Sequence, residues 1–126
     1  MTGVEIGFDA ARGVLLCRVA GAMPPSQEAE LSRALTDAVG AARRHGPLRV
    51  LWDNRVGVPL STALSDLLRD LLVERGGVED RVAIVVPNSM AKAHSRAHMA
   101  EGHQLFASEN AALTWLSVGA SPAAAA

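Results

Sequence analysis

The run Arg81-Val82-Ala83-Ile84-Val85-Val86 constrains the fold more than any other stretch of this chain. Its apolar residues follow one another without alternation, so a strand here has no face to give to water. That is the pattern of a parallel strand covered on both sides, and the run is the best candidate for a central one. Helical spacing flanks it. Upstream, Leu64, Leu67, Leu68, Leu71 and Leu72 form a wide apolar face on a helix that starts near Ser61 or Thr62 and stops at Gly76-Gly77. Downstream, Pro87-Asn88-Ser89 turns the chain into a helical pattern from Met90 to Glu101. Strand joined to strand through a helix is how parallel neighbours are connected.

The remaining elements extend this pattern in both directions. Val4 to Phe8 alternates as a strand with one covered face, Asp9 to Gly13 reads as a turn, and Val14 to Ala20 is a second strand, so an antiparallel hairpin opens the chain. In the second strand Leu15, Cys17 and Val19 share one face, and Leu16 and Arg18 share the other. After Gly21 to Pro25, Ser26 stands where a cap belongs. Leu31, Leu35, Ala38 and Ala42 then mark a helix from Gln27 to about Arg44, with Glu28 and Glu30 at its start and Arg43, Arg44 and His45 at its end, before Gly46-Pro47. Leu48 to Trp52 is a short strand running into Asp53-Asn54. His103 to Phe106 is a last strand, and Ser108 caps a last helix carrying Ala112, Leu113, Trp115 and Leu116. Both tryptophans are expected to pack against the sheet. The predicted fold is α/β, a single mixed sheet of about five strands with about four helices. Residues 1–118 form the domain, and 119–126 read as a frayed tail, because four terminal alanines cannot repay helix nucleation.

Composition narrows the function. Twelve Lys and Arg stand against 13 Asp and Glu, a net charge of -1, which is not the footprint of a protein that neutralises several phosphates; no nucleic-acid partner is expected. One cysteine cannot close an internal disulfide, and buried on an apolar strand face it is expected to be inert. No stretch is long and apolar enough to span a membrane, and the opening residues carry no basic leader. A cytoplasmic protein with no membrane and no cofactor is the expectation.

Catalytic signatures are missing. Arg75-Gly76-Gly77-Val78 lacks the continuation of a phosphate loop, and Pro87-Asn88-Ser89-Met90 lacks the glycines of a nucleophile elbow. Two polar groups remain as candidates. Asp53, Asn54 and Arg55 lie at the carboxyl end of a strand, where open α/β sheets place ligand contacts. With Asn88 and Ser89 they could line a small cleft attractive to an anion; alternatively, Asp53 ties down its loop through backbone N–H groups while Arg55 pairs with an acidic neighbour. His94, His98 and Glu101 fall on one helix flank, but without the HExxH order, and a solvated flank is the expectation over a metal site.

The opening hairpin, the Leu51-Trp52-Asp53-Asn54-Arg55 strand end, the run at Arg81 to Val86 and the closing Phe106…Ala112-Leu113-Thr114-Trp115-Leu116 together resemble the SpoIIAA-like class of small bacterial proteins, related to STAS and SEC14 domains. The resemblance covers roughly residues 4 to 118 and implies a regulatory interaction module. In the phosphorylatable members an Asp-Ser pair followed by Gly is the switch. Its position matches Leu60-Ser61, followed by Thr62 and Ala63: the serine matches, while the acidic neighbour and the glycine do not, so Ser61 reads first as a helix cap. The expected function is a non-enzymatic, homodimeric interaction or regulatory module with a protein partner. The alternative is a small-ligand or lipid-head-group binder with its pocket at the strand carboxyl ends. The wide leucine face, with Met99, is the expected dimer surface.

Overall fold

A computed structural model describes residues 3–21, 23–57, 61–75, 77, 79–87 and 103–125, with side-chain surroundings as far as 117. One mixed sheet carries the strands β1 (Val4–Asp9), β2 (Val14–Val19), β3 (Arg49–Asp53), β4 (Arg81–Val85) and β5 (His103–Phe106), in that spatial order. β1 and β2 are antiparallel, and β2 through β5 run parallel. The run at Arg81 is an interior parallel strand, as its composition demands. The middle position belongs instead to β3, whose five residues are all buried.

Three helices are described: α1 (Glu28–Arg43), α2 (Thr62–Arg69) and α3 (Glu109–Ala125). The helix expected over Met90 to Glu101 lies outside the described residues. α3 reaches into the stretch expected as a frayed tail, and its packing is described for Glu109 to Ser117 alone.

Side-chain alternation sorts the core into two layers. On one face Val4, Leu15, Cys17, Val19, Val50, Trp52 and Val82 meet Leu31, Leu35, Val39 and Ala42 of α1 and Leu64 of α2. On the other, Val14, Leu51, Ala83 and Val85 meet Ala112 and Leu116 of α3. Trp52 is buried as expected. Trp115 is only partly covered: it packs beside Phe106 with ring centroids 5.6 Å apart, and the Arg81 guanidinium lies 4.8 Å from its ring centre.

Local chemistry explains most boundaries. Asp9 closes the hairpin, accepting from Arg12 N through its side chain at 3.2 Å and from Gly13 N through its carbonyl at 2.7 Å. The expected cap at Ser26 is not made. Pro25 opens a 3₁₀ turn, Pro25–Gln27, so Ser26 sits inside that turn, and α1 begins after Gln27 without a side-chain cap. Ser61 does cap α2, its Oγ accepting from Leu64 N at 3.1 Å. Ser108 Oγ accepts from Ala111 N at 3.3 Å.

The leucine face of α2 needs no second copy to account for it. Leu64, Leu71 and Leu72 are buried, and Leu67 and Leu68 pack against the same cluster. Beyond Arg69 the helix widens into a π turn, Asp70–Glu74, in which Arg75 N bonds Asp70 O five residues back at 3.0 Å. The Leu71 carbonyl of this turn accepts from Arg43 Nη2 at 3.1 Å.

Candidate functional site

The parallel register of β2 and β3 sets Arg18 beside Asp53 at the strands' carboxyl ends, on the face that α3 partly covers. The turn after β3 then brings Arg55 back over the same carboxylate. Asn54 N extends the ladder to Val85 O at 2.9 Å, and Gly57 N returns to Asn54 O at 3.0 Å. Gly57 has φ +71°, and a side chain there would also press on Pro87 at 3.2 Å, so glycine is what lets this turn lie against the end of β4.

Asp53 is the hub. Its Oδ1 accepts from Arg55 N at 3.2 Å and Arg55 Nε at 2.9 Å, and its Oδ2 accepts from Arg55 Nη2 at 2.7 Å and Arg18 Nε at 3.1 Å. Arg55 thus grips the carboxylate with a two-pronged fork. Glu109, the first residue of α3, closes the group: its Oε1 accepts from Arg18 Nη2 at 2.8 Å, and its Oε2 lies 3.8 Å from Arg55 Nη2. Both arms of the weighed reading of Asp53 and Arg55 meet here, since Asp53 holds the loop N–H and is itself the acidic neighbour of Arg55.

Burial and charge oppose one another at Asp53. Its side chain is 4% exposed, and burial alone would raise its pKa. The hydrogen bonds from Arg55 and Arg18 outweigh that, and the carboxyl is held below its ordinary value. The same bonds to Asp53 raise both guanidiniums further. All these groups stay charged at neutral pH. The guanidiniums remain 51% and 48% exposed, and each carries more N–H groups than these bonds consume.

A half-open cleft of about 220 Å³ adjoins the cluster, lined among others by Glu5, Gly7, Leu16, Arg18, Leu51 and Asp53. Cys17 also borders it but belongs to the opposite core layer. Burial pushes its thiol up to about 12, so it supplies no thiolate at neutral pH.

Of the residues singled out from sequence, Asp53 and Arg55 come together, and Asn54 forms the turn between them. Ser61 is at the α2 cap, outside the group. Asn88, Ser89, His94, His98 and Glu101 lie outside the described residues. Among the described residues no group of three His, Cys, Asp or Glu side chains could hold a metal, and no helix is long and apolar enough to cross a membrane.

Arg18 and Glu109 were missed. They lie 91 residues apart, and neither has a local motif. The signal available was that Arg18 interrupts an otherwise apolar strand on the face opposite Cys17. Comparison with family models, with curated proteins and with solved structures found no match for the chain.

Proposed function

We propose that the protein is a non-enzymatic interaction module of the cytoplasm that recognises an acidic segment of a protein partner through Arg18 and Arg55. The observation that carries this is the fixed pair of half-exposed guanidiniums at the carboxyl end of the sheet. Asp53 and Glu109 hold them in place while spare donors face solvent. Arginine so held loses little freedom on binding, which is why it recurs at contact hot spots. The cluster's groups recognise charge: Asp53, which lines the cleft together with Glu5, is engaged by two cations and a backbone N–H, and its depressed pKa suits it poorly to proton transfer near neutral pH.

A SpoIIAA-like affinity fits this reading, supported by the antiparallel hairpin leading into helix-linked parallel strands. A homodimer and a switch at Ser61 belong to it as well. A phosphate at Ser61 would sit at the start of α2, where the helix dipole favours negative charge. The cleft beside Arg18 favours one second reading, a small anionic ligand such as a lipid head group.

Amide chemical-shift mapping with an oligoglutamate peptide tests the proposal, with inorganic phosphate as the competing probe. Perturbations centred on Arg18, Asp53, Arg55 and Glu109, fading as salt rises, are expected with the peptide. Phosphate binding in the cleft without a peptide effect would transfer the site to the second reading. No response at these residues to either probe would overturn both.

A further inference from the structure

The two edges of the sheet are unequal. β5 has four residues, whereas β1 has six and is bordered on one side only. Gly3 O accepts from Ala20 N at 2.7 Å and Asp9 O accepts from Gly13 N at 2.7 Å, so odd-numbered residues of β1 turn their main-chain groups toward β2. The N–H and C=O groups of Val4, Ile6 and Phe8 therefore point outward, and among the described residues no strand takes them.

Natural edges are blunted by charged side chains, lysine above all, by proline or by bulges. β1, Val4-Glu5-Ile6-Gly7-Phe8-Asp9, has no lysine, proline or bulge, and its charges are the two acids Glu5 and Asp9. Phe8 is 37% exposed, with its ring 4.9 Å from that of His45. Beside it an apolar groove of about 280 Å³ runs along the edge between Ile6, Phe8 and Leu15 and the small side chains of Ala38 and Ala41 on α1.

We infer that β1 pairs antiparallel with β1 of a second copy of this chain, with Ile6 on the two-fold axis, joining two sheets into one. Charge selects both the partner and the register. With Ile6 opposite the partner's Ile6, Val4 faces the partner's Phe8 and Glu5 faces the partner's Gly7, while Asp9 lies past the partner's Val4, where Gly3 turns the chain at φ +100°. No acidic side chain thus stands opposite another, and the apolar residues continue one covered face. Centring the pair on Gly7 would place Glu5 against the partner's Asp9. Centring it on Glu5 would oppose two glutamates. Like charges directly opposite are unfavourable, and centring further toward either end shortens the overlap. Of the two registers that pair five residues of β1, only the one centred on Ile6 opposes no acidic side chains, a match that an unrelated partner would have no reason to share.

The pairing gives the proposed homodimer a geometry and borders the cleft at Glu5 and Gly7, but it uses neither Arg18 nor Arg55, so its tests are separate from those of the acidic-partner reading. Sedimentation of the full chain over a range of concentrations is expected to show twice the mass of one chain. Oxidised Ile6→Cys fixes the register: the two Cα atoms of a hydrogen-bonded antiparallel pair stand about 5.5 Å apart, within disulfide reach. It should cross-link almost completely. Phe8→Cys, whose two copies would be about 14 Å apart, should not. Unchanged circular dichroism confirms that each variant is folded, and buried Cys17 is no competing thiol. A single-chain mass at every concentration overturns the inference. A dimer that cross-links through Phe8→Cys, or through neither variant, overturns the β1 register.

Discussion

Asp80 and Asp53 are two nearly buried carboxylates at opposite ends of the same sheet, with side chains 8% and 4% exposed. Their partners differ. Asp80, just before β4, accepts from Leu48 N and Gly77 N at 2.8 Å each and from Arg43 Nη1 at 2.7 Å. Arg43 is itself mostly covered and goes on to the Leu71 carbonyl. This end stitches the C-terminus of α1, the entry to β3 and the π turn together, and its donors point inward. Asp53 spends most of its bonding on two guanidiniums that are about half exposed. A buried carboxylate that gathers backbone N–H groups supports the fold; one that positions solvent-facing arginines prepares a surface. Ligand contacts in open α/β sheets lie at the carboxyl ends of the strands, the end where Asp53 stands.

The largest expected effect is at Asp80. Asp80→Ala leaves the Leu48 N–H without its acceptor and Arg43 with the Leu71 carbonyl alone in a covered region, and should cost about 3–5 kcal/mol in denaturant unfolding. Asp53→Ala should cost less, about 1–3 kcal/mol, because Arg18 keeps Glu109 and both guanidiniums reach water. Equal losses would erase the distinction between the two ends. Ser61→Ala, which removes only the α2 cap, should cost about 1 kcal/mol.

Acid titration sharpens the comparison. At Asp80, as at Asp53, burial alone would raise the pKa, but hydrogen bonds prevail and the carboxyl lies below its ordinary value. The stability each contributes is therefore complete above the unfolded carboxyl value of about 4 and is lost as pH falls through the folded value. Asp80→Asn should flatten the acid limb of the stability curve, and Asp53→Asn should flatten it separately. His103 acts in the opposite range. Burial lowers its pKa, against a hydrogen bond to the Leu72 backbone, and its buried Nε2 has no partner among the described residues. The unfolded chain then binds a proton that the folded chain refuses, so stability should decline as pH drops below about 6.5. His103→Gln should remove that slope.

Strands and helices were legible where burial imposes a period. The alternation of Val4 to Phe8, the unbroken run at Arg81 and the leucine stripe of α2 each point to their element. The misread features depend on geometry that no local period encodes. Ser26 failed as a cap because Pro25 diverted the chain into a 3₁₀ turn. The breadth of the α2 face left open deep packing on the sheet or contact with a second copy, and its leucines pack into the core of one chain, Leu67 and Leu68 only partly buried. Asp53 and Arg55 could be found because they are neighbours on a strand end. Arg18 and Glu109 could not, since only the parallel register of β2 with β3 and the docking of α3 bring them there.

The central claim is that the Asp53 end is a recognition surface and the Asp80 end a structural clamp. It is tested most directly by measuring unfolding free energy and oligoglutamate affinity together in Arg18→Gln and Arg55→Gln, made singly so that the remaining arginine still pairs Asp53. Stability is expected within about 1 kcal/mol of the parent, as for exposed ion pairs, with peptide affinity at least about fivefold weaker in each, the loss of one charged contact. A stability loss as large as that of Asp80→Ala, with peptide binding unchanged, would contradict it.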